Sequence, residues 1–137
     1  MGLIPDSSVL IAAERQGKNA RQVMSIIAQE IGETEVGISV VTLIELAHGA
    51  ARADTAERKS KRVKFIEELL TALPVYPVTA AIALRAGHLD GQNQARGVKV
   101  PLPELLVGVT ALELGYGVGT ANIQHFLQVG GLPVHQL

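Results

Sequence analysis

The sequence predicts an α/β domain with a short, mostly parallel central sheet. Short apolar runs alternate with longer segments of helical period, and these runs are too short and too apolar to be anything but buried. Apolar residues make up 47 % of the 137 residues, with only four aromatics among them, so aliphatic side chains fill the core. That length corresponds to one domain, residues 1–137.

In chain order, Gly2 to Ile4 reads as a buried strand and Val9 to Gln16 as a helix. Val23, Ile26, Ile27, Glu30 and Ile31 fall on helical spacing with two apolar pairs a turn apart. Val36 to Val40 is a second strand, and Thr42 to Ala50 a helix. Val63, Ile66, Leu70 and Leu73 repeat at 3, 4 and 3, a helix whose apolar stripe they form. Pro74 to Val78 is a strand punctuated by prolines, followed by helices over Thr79 to Ala95 and Pro103 to Gly115. Gly117 to Gly119 is a very short strand and Leu132 to His135 an edge strand. There is no internal repeat, low-complexity tract or linker.

The absence of cysteine removes disulfides, thiolate zinc sites and thiol nucleophiles, leaving oxygen and nitrogen ligands for any chemistry. The opening MGLIPD lacks a basic n-region and carries an acid where myristoylation requires Ser or Thr, so a cytoplasmic protein is expected. The stretch from Leu114 to Leu137 lacks acids and bases but is broken by glycines, a proline and amides, which excludes a membrane helix. A net charge of −1 excludes bulk electrostatic binding of nucleic acid. Six of the twelve basic residues nevertheless cluster (Arg52, Arg58, Lys59, Lys61, Arg62, Lys64), either as a solvated helix face or as a local polyanion patch.

Three carboxylates sit in apolar sequence: Asp6 in GLIPDSSVLIAA, Glu45 in ISVVTLIELAHGA and Glu104 in KVPLPELLVGVTAL. Burying an ionised carboxylate costs several kcal/mol unless it is paired or bound to metal. No Lys or Arg lies within six positions of Asp6 or Glu45. Each acid follows a predicted strand or opens a helix, and in a parallel sheet the carboxyl ends of the strands share one edge, where such folds bind ligands. Asn122, after the short strand, emerges at the same edge. Oxygen ligands of this kind suit a hard divalent cation, Mg²⁺ or its substitute Mn²⁺, and metal-assisted phosphodiester hydrolysis. Helix capping is the competing account: Asp6 before Ser7, the T-x-x-E box of Thr42 and Glu45, Pro103 and Glu104 in a first turn, and Asn122 as another cap.

Together these segments resemble PIN-domain ribonucleases, VapC-type toxins among them. IPDSSVLIAAE resembles their opening strand and D-[ST]-S-V-L-I motif, SVVTLIELAHGAARA their second acidic motif, and VPLPELLVGVTALELGYGVGTANIQHF their third block. The resemblance implies a PIN-like three-layer α/β/α domain with Asp6 and Glu45 as metal-binding acids and Glu104 in a place usually held by aspartate. Asn122 falls where members carry a fourth acid or asparagine, and His125 where many carry aspartate. Ser8 would orient Asp6, and Thr120 would act similarly beside Asn122. It further implies an endoribonuclease cutting structured RNA, typically transfer or ribosomal RNA. A cognate antitoxin would wrap the early helices, the protein would form a homodimer, and Arg58, Lys59, Lys61 and Arg62 would steer RNA to an acidic pocket.

Other signals are weaker. Glu45 and His48 form a single E-x-x-H, where a di-iron site needs two copies and two further glutamates. His88, His125 and His135 lack a partner at metal-ligand spacing. Gly115, Gly117 and Gly119 fail G-x-G-x-x-G because position 120 is Thr; they read as a helix end and a tight turn. An aspartyl-nucleophile phosphatase needs a second acid where Ser8 stands. The non-enzyme alternative is a PIN-like binding domain, impaired in catalysis, that acts through protein partners.

Overall fold

The structure is a computed structural model that describes all residues, 1–137. Its central sheet has the strand order β2-β1-β5-β6, with β1 (Gly2–Pro5), β2 (Glu35–Val36), β5 (Gly117–Thr120) and β6 (Val134–Gln136). Every pairing is parallel: Ile4 lies opposite Val118 and Val118 opposite Val134. A two-stranded parallel sheet joins β3 (Ile38–Ser39) to β4 (Val75–Tyr76). Seven helices complete the chain: α1 (Ser7–Arg15), α2 (Ala20–Ile31), α3 (Val40–Ala51), α4 (Ala56–Ala72), α5 (Ala80–Ala95), α6 (Leu102–Leu114) and α7 (Ile123–Phe126).

The layering follows from the period of two along a strand. Neighbouring residues Leu3 and Ile4 of β1 are both buried but enter different cores. Leu3 packs with Leu10, Val23, Ile27 and Phe65 from α1, α2 and α4. Ile4 packs with Val107 and Ala111 of α6 and Phe126 of α7. A third cluster joins α5 to α6 through Ile82, Ala86, Leu105 and Val109. The result is the expected three-layer arrangement, in which none of the helices is long and apolar enough to cross a membrane.

The segment expected as one strand over Val36 to Val40 is divided at Gly37. The Gly37 amide still donates to Leu3 of β1 (3.1 Å), while the next amide, of Ile38, donates to Pro74 beside β4 (3.0 Å). A Cβ at position 37 would lie 2.3 Å from the Tyr76 ring, so only glycine lets the chain change sheets here. The following helix starts at Val40 rather than Thr42, because the Ser39 hydroxyl caps it by accepting from the Val41 amide (3.1 Å). Thr42 therefore caps nothing, and its hydroxyl is buried without a partner. Glu45 lies in the middle of α3, outside any capping box.

The buried stripe of α4 also differs from the expected one. Phe65 and Leu69 are buried with Arg62 one turn earlier, whereas Val63 and Leu70 are exposed. Phe65 decides this: its bulk gains more from burial than the smaller Val63, and it rotates the helix by one position. Gly115 ends α6 in the left-handed region (φ 70), while Gly117 and Gly119 lie inside β5 rather than in a turn. A Cβ on Gly119 would lie 2.5 Å from Leu137, so the glycine admits the C-terminal side chain against the sheet.

Candidate active site

The carboxyl ends of β1 and β5 form the switch point of the sheet. From β1 the chain runs through α1 and α2 to β2 on one side, while β5 pairs on the other. Asp6 follows β1, and its amide donates to the Gly119 carbonyl of β5 (2.9 Å). Its backbone is extended (φ −83, ψ 175), which makes it the N-cap of α1. Oδ1 accepts from the Ser8 amide (3.1 Å), the Val9 amide (3.4 Å) and the Ser8 hydroxyl (2.5 Å). Oδ2 accepts from the Thr120 hydroxyl (2.7 Å), which is fully buried. Asp6 is thus a cap through one oxygen and is tied to β5 through the other. Ser8 also accepts from the Ala121 amide (3.1 Å), and Thr120 from the Asn122 amide (3.0 Å), so two hydroxyls knit the β1 and β5 ends together.

Glu45 reaches the same edge from α3. Its Oε1 accepts from the Ser7 hydroxyl of α1 (3.1 Å). Burial pushes its carboxyl above the ordinary glutamate range; the charges of Glu104 and Asp6 push the same way, and the Ser7 hydrogen bond opposes them. Glu45 therefore feels the charge of both other acids. Glu104 stands in the first turn of α6, after Pro101 and Pro103. The His125 imidazole Nδ1 of α7 lies 3.5 Å from Glu104 Oε1, with both side chains partly exposed. Sequence spacing missed this pairing because 21 positions separate two residues that only the α6–β5–α7 crossover brings together.

The other predicted residues make no side-chain hydrogen bond to these acids. Asn122 is exposed, and its side chain does not cap the short α7. Arg58 pairs with Asp54 (3.0 Å) and Lys61 with Glu57 (3.3 Å) on the exposed face of α4, where Lys59 is also exposed. Arg62 corrects the expectation of a basic patch. It is 8 % exposed and donates to Glu14 (2.8 Å), so it cannot meet an RNA backbone. Its position one turn before Phe65 was the available signal. His48 lies exposed on α3.

The donor set suits a hard divalent cation. Asp6, Glu45 and Glu104 offer oxygens only, and no Lys or Arg forms an ion pair with any of them. The charge that raises the Glu45 pKa is therefore uncompensated by the protein, apart from the imidazole beside Glu104. No three His, Asp or Glu side chains stand close enough to enclose an ion by themselves. Asp6, Glu45 and Glu104 would therefore hold such an ion partly through its own waters, which a small divalent cation retains.

Comparisons with known proteins bear on the family and the fold. The PIN domain family model matches residues 3–123. The chain is 28 % identical to "Ribonuclease VapC1" of Rickettsia felis over 134 residues, covering 98 % of this chain and 95 % of that protein. It is 30 % identical to the "tRNA(fMet)-specific endonuclease VapC" of Shigella flexneri over 103 residues, covering 74 % and 75 % respectively. Among solved structures, VapBC2 from Rickettsia felis bound to a DNA fragment from its promoter superimposes with a TM-score of 0.82. The sequence identity there is 17 %, and the match covers 100 % of this chain and 99 % of the other.

Proposed function

The chain belongs to the PIN-domain family, and we propose that it is the toxin of a toxin–antitoxin pair, a Mg²⁺-dependent endoribonuclease that cuts structured transfer or ribosomal RNA. One observation carries this reading: burial, with the charges of Glu104 and Asp6 beside it, raises the Glu45 pKa, and no Lys or Arg pairs with any of the three acids. Asp6, Glu45 and Glu104 would hold the ion. The chemistry such an ion would supply there is activation of water and neutralisation of charge on the scissile phosphate.

The chain's own residues supply the rest. Four hydrogen bonds, from the Ser8 and Val9 amides and the Ser8 and Thr120 hydroxyls, fix the orientation of the Asp6 carboxylate. Ser7 orients Glu45. Asn122, whose backbone amide donates to the Thr120 hydroxyl, would complete the site beside the acids. The exposed Lys59, with Arg58 and Lys61, would draw the RNA backbone toward an acidic cleft. An antitoxin would cover the apolar furrow between α1 and α2, lined by Val9, Ala12, Ile26 and Leu137, in a cytoplasmic complex. Exposed Ile44 on α3 and Leu84 on α5 would be covered by a second copy, and residues 1–137 would fold as one domain.

Cleavage of a total-RNA pool by antitoxin-free protein with Mg²⁺, Mn²⁺ or EDTA tests the reading, with Asp6→Asn as control. Discrete metal-dependent products that disappear in Asp6→Asn are expected. One observation favours the alternative of an impaired binding domain: His125 stands against Glu104, where an ion would need it. Absence of both Mn²⁺ binding by calorimetry and RNA cleavage would select that alternative.

A further inference from the structure

We infer that Arg62 is a positioning residue of the acidic site, holding α1 and α3 at the separation that lets Ser7 meet Glu45. The inference rests on the reading of those acids as the reacting centre. Arg62 projects from α4 into the seam between α1 and α3. Its Nε donates to Glu14 Oε1 of α1 (2.8 Å), and its Nη1 donates to the Leu46 carbonyl of α3 (3.3 Å), next in the chain to Glu45. The two side chains keep only 9 % and 13 % of their surface exposed. Gly49 of α3 makes room for the guanidinium, because a Cβ there would lie 2.3 Å from Nη1.

A buried ion pair of this kind adds little net stability, since desolvation offsets its attraction, and apolar replacement is often neutral. Its distinctive property is directional: the planar guanidinium bonds two partners in fixed directions, whereas apolar contacts can slide. Helix α1 is tied at its start by Asp6 to β5, and at its far end by Glu14 to Arg62. Helix α3 carries Glu45 and is gripped one residue later, at Leu46. The only direct side-chain hydrogen bond between these helices at the site is Ser7 to Glu45. Arg62 therefore fixes the spacing across which that bond and the Glu45 carboxylate are presented.

The test uses the full chain and two variants. Glu14→Gln with Arg62→Met removes both charges and the fork. Gly49→Ala leaves the charges in place, displaces the guanidinium and favours the helix. The readouts are Mn²⁺ affinity by calorimetry and amide exchange of Ser8, Val9 and Ala121 in metal-free protein, alongside melting temperature. A tenfold or greater loss of Mn²⁺ affinity and faster exchange at those three amides, in a variant that melts as wild type does, is the expected result. Wild-type affinity and exchange in a folded variant would overturn the inference and leave the pair as ordinary packing. If the double variant does not fold, Gly49→Ala decides by the same readouts. If wild type binds no Mn²⁺, the reading of the acids fails, and the exchange rates still decide whether Arg62 positions the site.

Discussion

Asp6 and Glu45 are both carboxylates set in apolar sequence, and the fold treats them in opposite ways. Asp6 is surrounded by four donated hydrogen bonds from Ser8, Val9 and Thr120, on a junction fixed by two parallel strands. Glu45 receives one, from Ser7, and its carboxyl is pushed up by burial and by the charges of Glu104 and Asp6. The strand-borne half of the site is built and satisfied; the helix-borne half carries unbalanced charge. The difference teaches that the same side-chain chemistry is satisfied where a strand junction supplies donors and left with little compensation where a helix carries it.

Breaking the satisfied half should have the greatest consequence. Asp6→Asn keeps the cap, since asparagine caps as well as aspartate, but loses the ionic ligand. RNA cleavage should fall by about a thousandfold or more, the equivalent of several kcal/mol, with circular dichroism unchanged. Thr120→Val removes only the donor to Oδ2, so Mn²⁺ affinity by calorimetry should weaken by about 10- to 100-fold. A wild-type value in either variant would show that the strand junction is a helix cap and nothing more.

The helix-borne half can be sharpened more gently. His125→Ala frees Glu104 from its imidazole neighbour and should tighten Mn²⁺ binding by about two- to threefold, a change of under 1 kcal/mol; weaker binding would make the imidazole a ligand instead. Glu45→Gln abolishes the unbalanced charge, so the metal-free protein should melt about 1–2 °C higher at neutral pH while losing cleavage.

The pH dependence has a defined sign. Unfolded, Glu45 titrates near 4.5, and folded it titrates higher. Between those values the folded chain holds the extra proton, so this contribution to stability falls as pH rises through the window and stays lost above it. Acidification restores it. Thermal melts of wild type and Glu45→Gln from pH 4 to 7 should therefore converge at the acid end and separate toward neutrality.

Much of the fold was legible because burial imposes periodicity. The alternation of short apolar runs with helical stretches foretold the parallel sheet, and Gly117 to Gly119 foretold the short strand beside β1, which runs on to Thr120. The errors are local and share a cause. Val36 to Val40 looked continuous because apolarity does not record that Gly37 passes a Tyr76 ring and changes sheets. Val63 and Leu70 looked like core because the count omitted Phe65, which sets the rotation of α4. Arg62 looked like part of a basic face because composition cannot distinguish a solvated arginine from one that has a buried glutamate 48 positions away.

The sequence by itself determined which residue types were available and the alternation of strands with helices: three acids in apolar runs, no thiols, and carboxyl ends that a parallel sheet must align. Those follow from local chemistry and from the geometry of crossover connections. Only the tertiary structure decided which partners each acid has. It gave Asp6 the Thr120 hydroxyl 114 positions away, placed His125 beside Glu104, and withdrew Arg62 from solvent to join α1 and α3. Hydrogen bonds and ion pairs act over a few ångströms, and the sequence distance between their members is set by topology, which no local pattern encodes.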